Sequence, residues 1–172
     1  MSNEDAILGR MRLAGVPPHA FPHSLKALKM AKLENDVFNK LYEKGVGGLV
    51  SYLITGGSKT TTASLVCSVM AKELVLQNRK VTCLSVSDLA TLAENGEDAK
   101  GFSGKGYLVV SDVGSNTKNC SPFQWDVAQS TLLSHIARGG GIIIGSANFT
   151  EVSIGWEFID ALTLFTSIQI QK

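Results

Sequence analysis

The sequence predicts an α/β protein in which a parallel β-sheet is covered by helices on both faces. Apolar runs typical of β-strands alternate with stretches of helical periodicity, which is the order of βαβ units. One run, YLVVSDVG at 107–114, stays apolar until its polar end, as expected for a parallel strand that is buried on both faces. A length of 172 residues suits one domain with a single core.

The composition is that of an ordinary globular protein, with 44% hydrophobic and 18% charged residues. A formal net charge of +1 gives no overall reason to expect binding to nucleic acid, a membrane or an acidic substrate. Cys67, Cys83 and Cys120 lack the spacing of a zinc site, which favours free thiols in a reducing compartment. The N-terminus is too charged for a signal sequence and no apolar run approaches ~18 residues, so we expect a cytoplasmic protein without membrane contact.

The first part of the chain, residues 1–47, is predicted to be a helical lead-in to an α/β core at 48–172. Residues 1–20 indicate a short helix that a Pro-Pro pair ends, because proline disfavours helix at the preceding residue. Residues 24–45 indicate one or two helices, and a Gly-rich break follows.

Three lysines recur at every third residue of this segment: Lys26, Lys29 and Lys32. On a helix this spacing drifts around the axis and makes no tight stripe. A solvated face is the simpler interpretation, and contact with single-stranded nucleic acid is the alternative.

The stretch at 49–76 organises the core. It reads as an apolar strand, LVSYLIT, then the loop GGSKTTTA, then a helix whose buried face is predicted to carry Val66, Val69, Met70 and Leu74. A strand, a Gly-rich loop and a helix form a phosphate-binding arrangement, because loop N–H groups and the helix N-terminus converge on an anion. The full signature G-x-x-x-x-G-K-[ST] is absent.

The remaining elements follow in alternation. A second strand is predicted at 81–86, followed by a short helix capped by Ser87 or Asp88. Then come the third strand, a helix closed by a triple glycine, a fourth strand, a helix and a terminal strand, at 107–114, 122–138, 142–148, 150–162 and 164–171.

Polar residues follow three of the predicted strands. They are GGSKTTT after the first strand, Ser111-Asp112 after the third, and Ser146-Ala147-Asn148 after the fourth. Ligands of parallel sheets bind beyond the carboxyl ends of the strands, so these residues define the candidate site.

At these residues the sequence resembles the bacterial helicase loaders of the AAA+ ATPases, the DnaC and IstB proteins. The resemblance covers about residues 10–172 and includes RMRLAGVPPHAF, LVSYLITG, MAKELVLQNRKVTCLSVSDL, YLVVSDVG, IIIGSANF and IGWEFIDAL. It implies a three-layer αβα sandwich with a five-stranded parallel sheet, as in P-loop NTPases, without most of the family's helicase-binding N-terminal domain.

The loop departs from the family's pattern. Counted without gaps from Gly56, the phosphate-binding lysine falls on Thr62 and the Mg²⁺-binding Ser/Thr on Ala63. Aligning the following helix instead moves the lysine position to Ala63. Lys59 lies three residues early and would serve only through a shortened loop.

The other catalytic positions also differ. The resemblance places the metal-binding aspartate at Ser111 and the catalytic acid at Asp112, with a shifted use of Asp112 as the metal ligand left open. Asn148 matches the residue that senses the γ-phosphate, and Ala161 replaces the arginine that reaches a neighbouring subunit. Loss of such an arginine alone typically costs ~10³–10⁵ in rate, so we expect negligible ATP hydrolysis.

Binding without hydrolysis is a weaker requirement. The candidate nucleotide-binding residues are Gly56, Gly57, Ser58, Lys59, Thr60, Thr61, Thr62 and Asn148. The alternative interpretation of GGSKTTT is a turn followed by a helix cap. The same alternative, a plain loop role, applies to Asp112 and Asn148.

The resulting hypothesis is a degenerate helicase-loader-like protein, encoded by a phage or another mobile element, that acts in DNA replication. It would bind the replicative helicase, a helicase loader or single-stranded DNA, with self-association left open. One rival is a working ATPase that uses ATP and Mg²⁺ through Lys59, Thr60 and Asp112. A second rival is a single-stranded DNA-binding module that uses the three lysines.

Overall fold

The computed structural model describes residues 3–39, 49–95, 106–111, 113, 121–146 and 165–170. The predicted helix at 150–162 lies outside these residues, as do Cys120 and the ends of several predicted elements. No helix in the described part of the chain has the length and apolarity needed to cross a membrane.

Helices and strands alternate along the chain from β1 to β4. In chain order the elements are α1 (Asn3–Leu13), a 3-10 turn (Pro18–Ala20), α2 (Ala31–Asn39), β1 (Tyr52–Gly56), α3 (Ala63–Leu76), β2 (Val81–Cys83), α4 (Val86–Glu94), β3 (Tyr107–Val110), α5 (Pro122–Ala137), β4 (Gly141–Ser146) and β5 (Thr166–Ile170). The alternation makes each strand start on the same side of the sheet, because a helix returns the chain between strands.

The five strands form one parallel sheet in the order β2-β3-β4-β1-β5. The predicted α/β fold with a five-stranded parallel sheet is therefore confirmed. The register pairs Thr55 of β1 with Ser146 of β4 and with Gln169 of β5, so the carboxyl ends of these strands share one edge. This edge carries the loop that follows β1.

Two apolar clusters cover the two faces of the sheet. One contains α3 and the lead-in, and the other contains α4 and α5. Odd and even positions of β4 divide between them, with Ile143 in the first cluster and Ile142 and Ile144 in the second. The layers are those of a three-layer sandwich.

Helix α3 is buried on nearly all sides. The predicted face of Val66, Val69, Met70 and Leu74 is fully buried, which confirms it, but most of the opposite face is buried as well. The reason is that the lead-in packs over α3, so this helix has the burial of a central helix and little amphipathic character.

We call the interface between residues 3–39 and the elements α3 and β1 the lead-in seam. Leu25, Leu33 and Val37 are at most 1% exposed within it. The Lys72 ammonium on α3 donates to the carbonyls of Phe21 and His23. These bonds fix the turn that precedes α2 against the core.

The prediction of helix from residue 24 onward is wrong for the residues before α2. Residues 24–29 form a single turn, in which the Leu28 N–H donates to the Ser24 carbonyl. Lys29 ends this turn in the left-handed conformation with φ +58°, and the Met30 N–H reaches back to the Leu25 carbonyl. The three lysines therefore do not lie on one helix.

The second strand and its following helix also need a correction. The strand ends at Cys83, and Val86 already begins α4. Ser85 caps α4: its Oγ accepts from the Asp88 N–H at 3.0 Å, and the Asp88 carboxylate accepts from the Ser85 N–H at 3.3 Å. This is a capping box, so Asp88 belongs to the box as its third helical residue and Ser87 is not the cap.

Candidate functional site

Two glycines turn the chain out of β1 into the loop. Gly56 has φ +84° and Gly57 has φ +153°, conformations that side chains rarely adopt. A Cβ on Gly56 would lie 2.6 Å from the Ile170 carbonyl oxygen at the end of β5. The loop can therefore approach the edge strand only with glycine at this position.

The loop closes on itself through its own polar groups. The Ser58 N–H donates to the Thr61 carbonyl at 2.7 Å, and the Thr61 N–H donates to the Ser58 Oγ at 3.0 Å. Gly57 and Thr62 form an isolated antiparallel bridge on either side of this turn. Two backbone donors that a phosphate-binding loop would direct at an anion are thus already used within the turn.

Thr62 caps the N-terminus of α3. It has extended backbone angles, and its Oγ1 accepts from the Leu65 N–H at 3.1 Å. The cap satisfies one of the helix's N-terminal donors, which is the task of a threonine at this position. The loop thus has both features of the alternative interpretation of GGSKTTT, a turn and a helix cap.

Lys59 is the loop's cation and is exposed at the tip of the turn with Thr60. The position after Thr62 is occupied by Ala63, which is fully buried as the first residue of α3. Both possible positions of the family's lysine are therefore filled by side chains that carry no charge. Lys59 would need to fold back across the turn to reach an anion at the helix N-terminus.

A cleft of about 530 Å³ lies beside the loop. Ser58 and Thr61 line it from the loop, Lys29 and Lys32 from the lead-in, and the end of β5 forms another wall. Lys26 is exposed but does not line this cleft. The structure thus joins two features that the sequence analysis treated separately, the loop and two of the three lysines.

The lysines reach this cleft because of the turn before α2. Lys29 occupies the left-handed position that ends the turn, and Lys32 follows in the first turn of α2. The signal that could have indicated this arrangement is local, since Ser24 caps the turn by accepting from the Ala27 N–H at 3.1 Å. The contact with the loop depends on tertiary packing.

The strand ends meet around Gly145 of β4. A Cβ there would lie 2.6 Å from the Cys67 Sγ, 2.9 Å from the Ser111 carbonyl oxygen and 3.1 Å from the Ala63 carbonyl oxygen. The Val113 N–H donates to the Gly145 carbonyl at 2.9 Å. The predicted convergence of the loop helix with the ends of β3 and β4 is present at these residues.

Several predicted site residues cannot be placed in this geometry. Asp112, Asn148 and Ala161 lie outside the described residues. Ser111 is half-buried at the end of β3, where its carbonyl approaches Gly145. Their assigned roles stay predictions.

Ser146 ends β4 at the same edge. It is 1% exposed, and its Oγ has no hydrogen-bond partner within the described part of the molecule. A buried hydroxyl without a partner is costly, so it marks the place where a polar group would be accepted. Sequence reasoning had no signal that separated Ser146 from its neighbours.

The two described thiols are not activated. Burial raises the pKa of Cys83 to about 12, and burial together with the nearby Cys83 raises the pKa of Cys67 further. Both therefore stay protonated at neutral pH and are poor nucleophiles. Among the described residues no three histidine, cysteine, aspartate or glutamate side chains are grouped as a metal site would require.

The α/β fold with its five-stranded parallel sheet is similar to the folds of solved replication initiation proteins. A solved DNA replication initiation factor matches 84% of this chain with a TM-score of 0.56 and 15% identity. AMPPCP-bound DnaA from Aquifex aeolicus matches 91% of this chain with a TM-score of 0.58 and 13% identity. The chain spans about half the length of these two structures, 45% and 51% respectively.

The sequence itself matches no family model and no curated protein. At 15% and 13% identity the likeness to the initiators establishes the fold alone. The more specific resemblance to the helicase loaders stays a prediction from the sequence.

Proposed function

We propose that this chain is a replication-associated protein of AAA+ type whose nucleotide site is degenerate. It acts by binding a replicative helicase, a helicase loader or single-stranded DNA, with little or no hydrolysis of ATP. The fold shared with replication initiators supports the connection to replication. The state of the loop after β1 supports the loss of hydrolysis.

The closed turn at 58–61 carries this proposal. It bonds two loop N–H groups internally, and Thr62 bonds a third at the helix N-terminus. Phosphoryl transfer depends on charge and positioning, so a loop without its lysine and with its donors used loses both contributions. Binding of a partner requires neither the lysine nor the N–H donors of this loop.

A fluorescent ATP analogue titrated with Mg²⁺ tests the proposal. We expect no phosphate release above background, and any binding of the analogue should be unchanged in Lys59→Ala. Lys26→Ala is the matched control, because it removes an exposed lysine that lies outside the cleft. Tight binding that is lost in Lys59→Ala, together with phosphate release, would show a working ATPase instead.

Binding of the partner is tested separately. The purified replicative helicase and its loader are each passed over the immobilised full chain, and single-stranded DNA is titrated at two salt concentrations. Stoichiometric retention of helicase or loader supports the protein-partner form of the proposal. Binding of DNA that weakens steeply with salt supports the DNA form, and failure of all three contradicts the proposal.

The cleft beside the loop favours a second candidate, an ATP-binding protein. Lys29 and Lys32 lie in the same cleft as Ser58 and Thr61, so the lead-in brings cations that the loop lacks. A ligand with an apolar ring and phosphates would meet Met30 and Ile168 as well as these lysines. In this case Lys29→Ala and Lys32→Ala should each weaken binding of the analogue, and Lys26→Ala should not.

A further inference from the structure

The two edges of the sheet differ in what covers them. At the β2 edge the lead-in contacts the strand, and the Cys83 N–H donates to the Ala14 carbonyl at 2.7 Å. Gly15 follows with φ +72°, and a Cβ on it would lie 2.6 Å from the Cys83 carbonyl oxygen. At the opposite edge lies β5, and no strand of the described chain pairs with its outer side.

The register of β5 identifies the backbone groups on that open side. The Thr166 N–H donates to the Ser51 carbonyl at 2.8 Å, so Thr166 directs its backbone groups at β1. Alternate residues of a strand bond to the same neighbour, so Ser167 and Gln169 direct their N–H and C=O groups away from β1. Both residues are exposed. They offer the donors and acceptors that an added strand would use.

The composition of β5 does not protect this edge. Edge strands of native proteins usually carry a charged residue or a proline that discourages pairing with another chain. The sequence of β5, TSIQI, contains neither, and Thr166, Ile168 and Ile170 are β-branched residues that favour strand pairing. An edge of this kind accepts a further strand.

The cleft beside the loop runs along this open edge. It has a volume of about 530 Å³, and residues 168–170 of β5 form one of its walls. Residues 28–33 of the lead-in form another wall. The outward backbone groups of Gln169 therefore lie in a groove that is wide enough for further chain, and not on a flat surface.

The lead-in wall of the cleft is apolar and positively charged. Leu28 and Met30 are half-buried and pack against the first apolar cluster, whereas Lys29 and Lys32 are exposed. No carboxylate lines the cleft among the described residues, and in that part of the chain neither lysine is paired with an acid. Charge complementarity therefore favours an acidic occupant.

We propose that an extended, acidic protein segment binds in this cleft by adding to β5 as a further edge strand. Its backbone would bond to the outward groups of Ser167 and Gln169. Its side chains would point alternately toward the lead-in, where carboxylates meet Lys29 and Lys32 and an apolar side chain meets Met30. The inference rests on the protein-partner form of the proposed function and states how that partner is held.

The backbone groups around the cleft favour a peptide over a nucleotide. Phosphates need N–H donors, and the loop uses those of Ser58 and Thr61 within its own turn. A nucleotide would also leave the edge of β5 unpaired. An extended segment uses both the strand edge and the two lysines.

The test uses the full chain and a labelled heptapeptide in which threonine alternates with aspartate, valine and aspartate. Gln169→Pro removes an outward N–H and no bond to β1, and it should weaken peptide binding about tenfold or more. Gln169→Ala keeps the N–H and is the matched control, so it should bind as the unmodified chain does. Urea denaturation of Gln169→Pro checks that this variant folds.

Amide hydrogen exchange tests the strand addition without any variant. In the unmodified chain the peptide should slow exchange at the Ser167 and Gln169 amides, because each amide would then donate to the peptide or lie against it. Peptide binding without protection of the Gln169 amide would overturn the proposal. So would equal binding by Gln169→Pro and Gln169→Ala.

The lysines are tested with the same peptide. Lys29→Ala and Lys32→Ala should each weaken binding about two- to fivefold, as expected for exposed ion pairs, and Lys26→Ala should not. Absence of peptide binding would overturn the proposal. Binding of the ATP analogue that depends on Lys29 and Lys32 but is unchanged in Gln169→Pro would also overturn it and assign the cleft to a nucleotide.

Retention of the helicase and its loader separates this inference from the proposed function. If Gln169→Pro retains either protein as well as the unmodified chain does, the proposed function stands and the strand addition is wrong. If the peptide binds and protects the Gln169 amide while neither protein is retained, the strand addition stands and the choice of partner is wrong.

Discussion

The loop between β1 and α3 and the lead-in seam are stabilised in opposite ways. The loop is held by bonds between near neighbours, such as those that join Ser58 to Thr61 and Thr62 to Leu65. The seam is held by bonds between distant residues: Lys72 reaches carbonyls that lie 49 and 51 positions earlier in the chain. The Tyr52 hydroxyl donates to the Asp36 carboxylate at 3.0 Å across the same seam.

The seam is therefore expected to determine stability, whereas the loop bears on the chemistry of a ligand site. Ser58 and Thr61 bond to each other, so removing one of these local bonds should cost little stability. The seam closes the first apolar cluster, so substitutions there should destabilise the whole domain. Four measurements test the comparison, in order of decreasing expected effect.

The largest effect is expected in the seam. Leu33→Ala should lower the free energy of unfolding by about 2–5 kcal/mol, because Leu33 is fully buried and its truncation leaves a cavity. Urea denaturation measures the change. Leu13→Ala is the matched control, since Leu13 is 90% exposed and should change stability little. Equal effects in the two variants would show that the lead-in does not contribute to the core.

The next effect comes from the buried lysine. Lys72→Met keeps the aliphatic stem but removes the ammonium that donates to Phe21 and His23, so two half-buried carbonyls lose their donor. The expected loss is about 1–3 kcal/mol of unfolding free energy. Lys32→Met, at an exposed position, provides the comparison. A thermal midpoint that is unchanged in Lys72→Met would contradict the role assigned to the seam's polar contacts.

The third measurement concerns the pH dependence of stability that a buried histidine contributes on the other face of the sheet. His135 on α5 is 3% exposed, and its Nε2 lies 3.0 Å from the Gly106 carbonyl oxygen. Burial lowers the pKa of His135 from its ordinary value of 6.5, so the folded state takes up its proton less readily than the unfolded state. Stability from this residue is complete above pH 6.5 and is lost as the pH falls toward the folded-state pKa.

Urea midpoints at pH 7.5 and pH 5.5 measure the effect. The loss is at most about 1.4 kcal/mol for each pH unit below 6.5. His135→Gln should flatten this dependence, and His19→Gln, at an exposed position, should leave it as in the unmodified chain. A dependence that persists in His135→Gln would assign the titration to another group.

The smallest effect is expected in the loop. Thr62→Ala removes the cap of α3 and should cost about 1 kcal/mol, whereas Thr62→Ser should restore most of it. Thermal unfolding distinguishes the three proteins. If Thr62→Ala costs as much as Leu33→Ala, the loop is part of the cooperative core and the comparison fails.

The sequence predicted what depends on local pattern. The alternation of strands and helices, the buried face of α3 and the glycine stop after α5 all follow from residues a few positions apart. The cap of α4 could also have been predicted correctly, because Ser85-x-x-Asp88 has the spacing of a capping box. Placing the cap two or three residues late extended the second strand in the prediction beyond its observed end at Cys83.

What the sequence could not provide were contacts between distant segments. The burial of α3 on nearly all sides depends on the lead-in, whose path turns at Lys29 in a conformation that no periodicity indicates. The same turn brings Lys29 and Lys32 beside the loop, so the shape of the candidate site follows from tertiary packing. The turn and the helix cap in the loop, by contrast, are local features that the sequence indicated, because Ser58 and Thr62 bond to their neighbours; nucleotide binding by this loop stays a prediction.

The position of β1 has a consequence for how the chain acquires its structure. It is the first of the described strands in the sequence, yet its two neighbours, β4 and β5, are the last two of them. Pairing strands so far apart requires closure of long loops before any contact compensates for the lost entropy, which slows refolding. Until β4 and β5 have paired with β1, the unpaired backbone N–H and C=O groups of β1 can pair with strands from other molecules. We therefore expect refolding yield to fall as protein concentration rises.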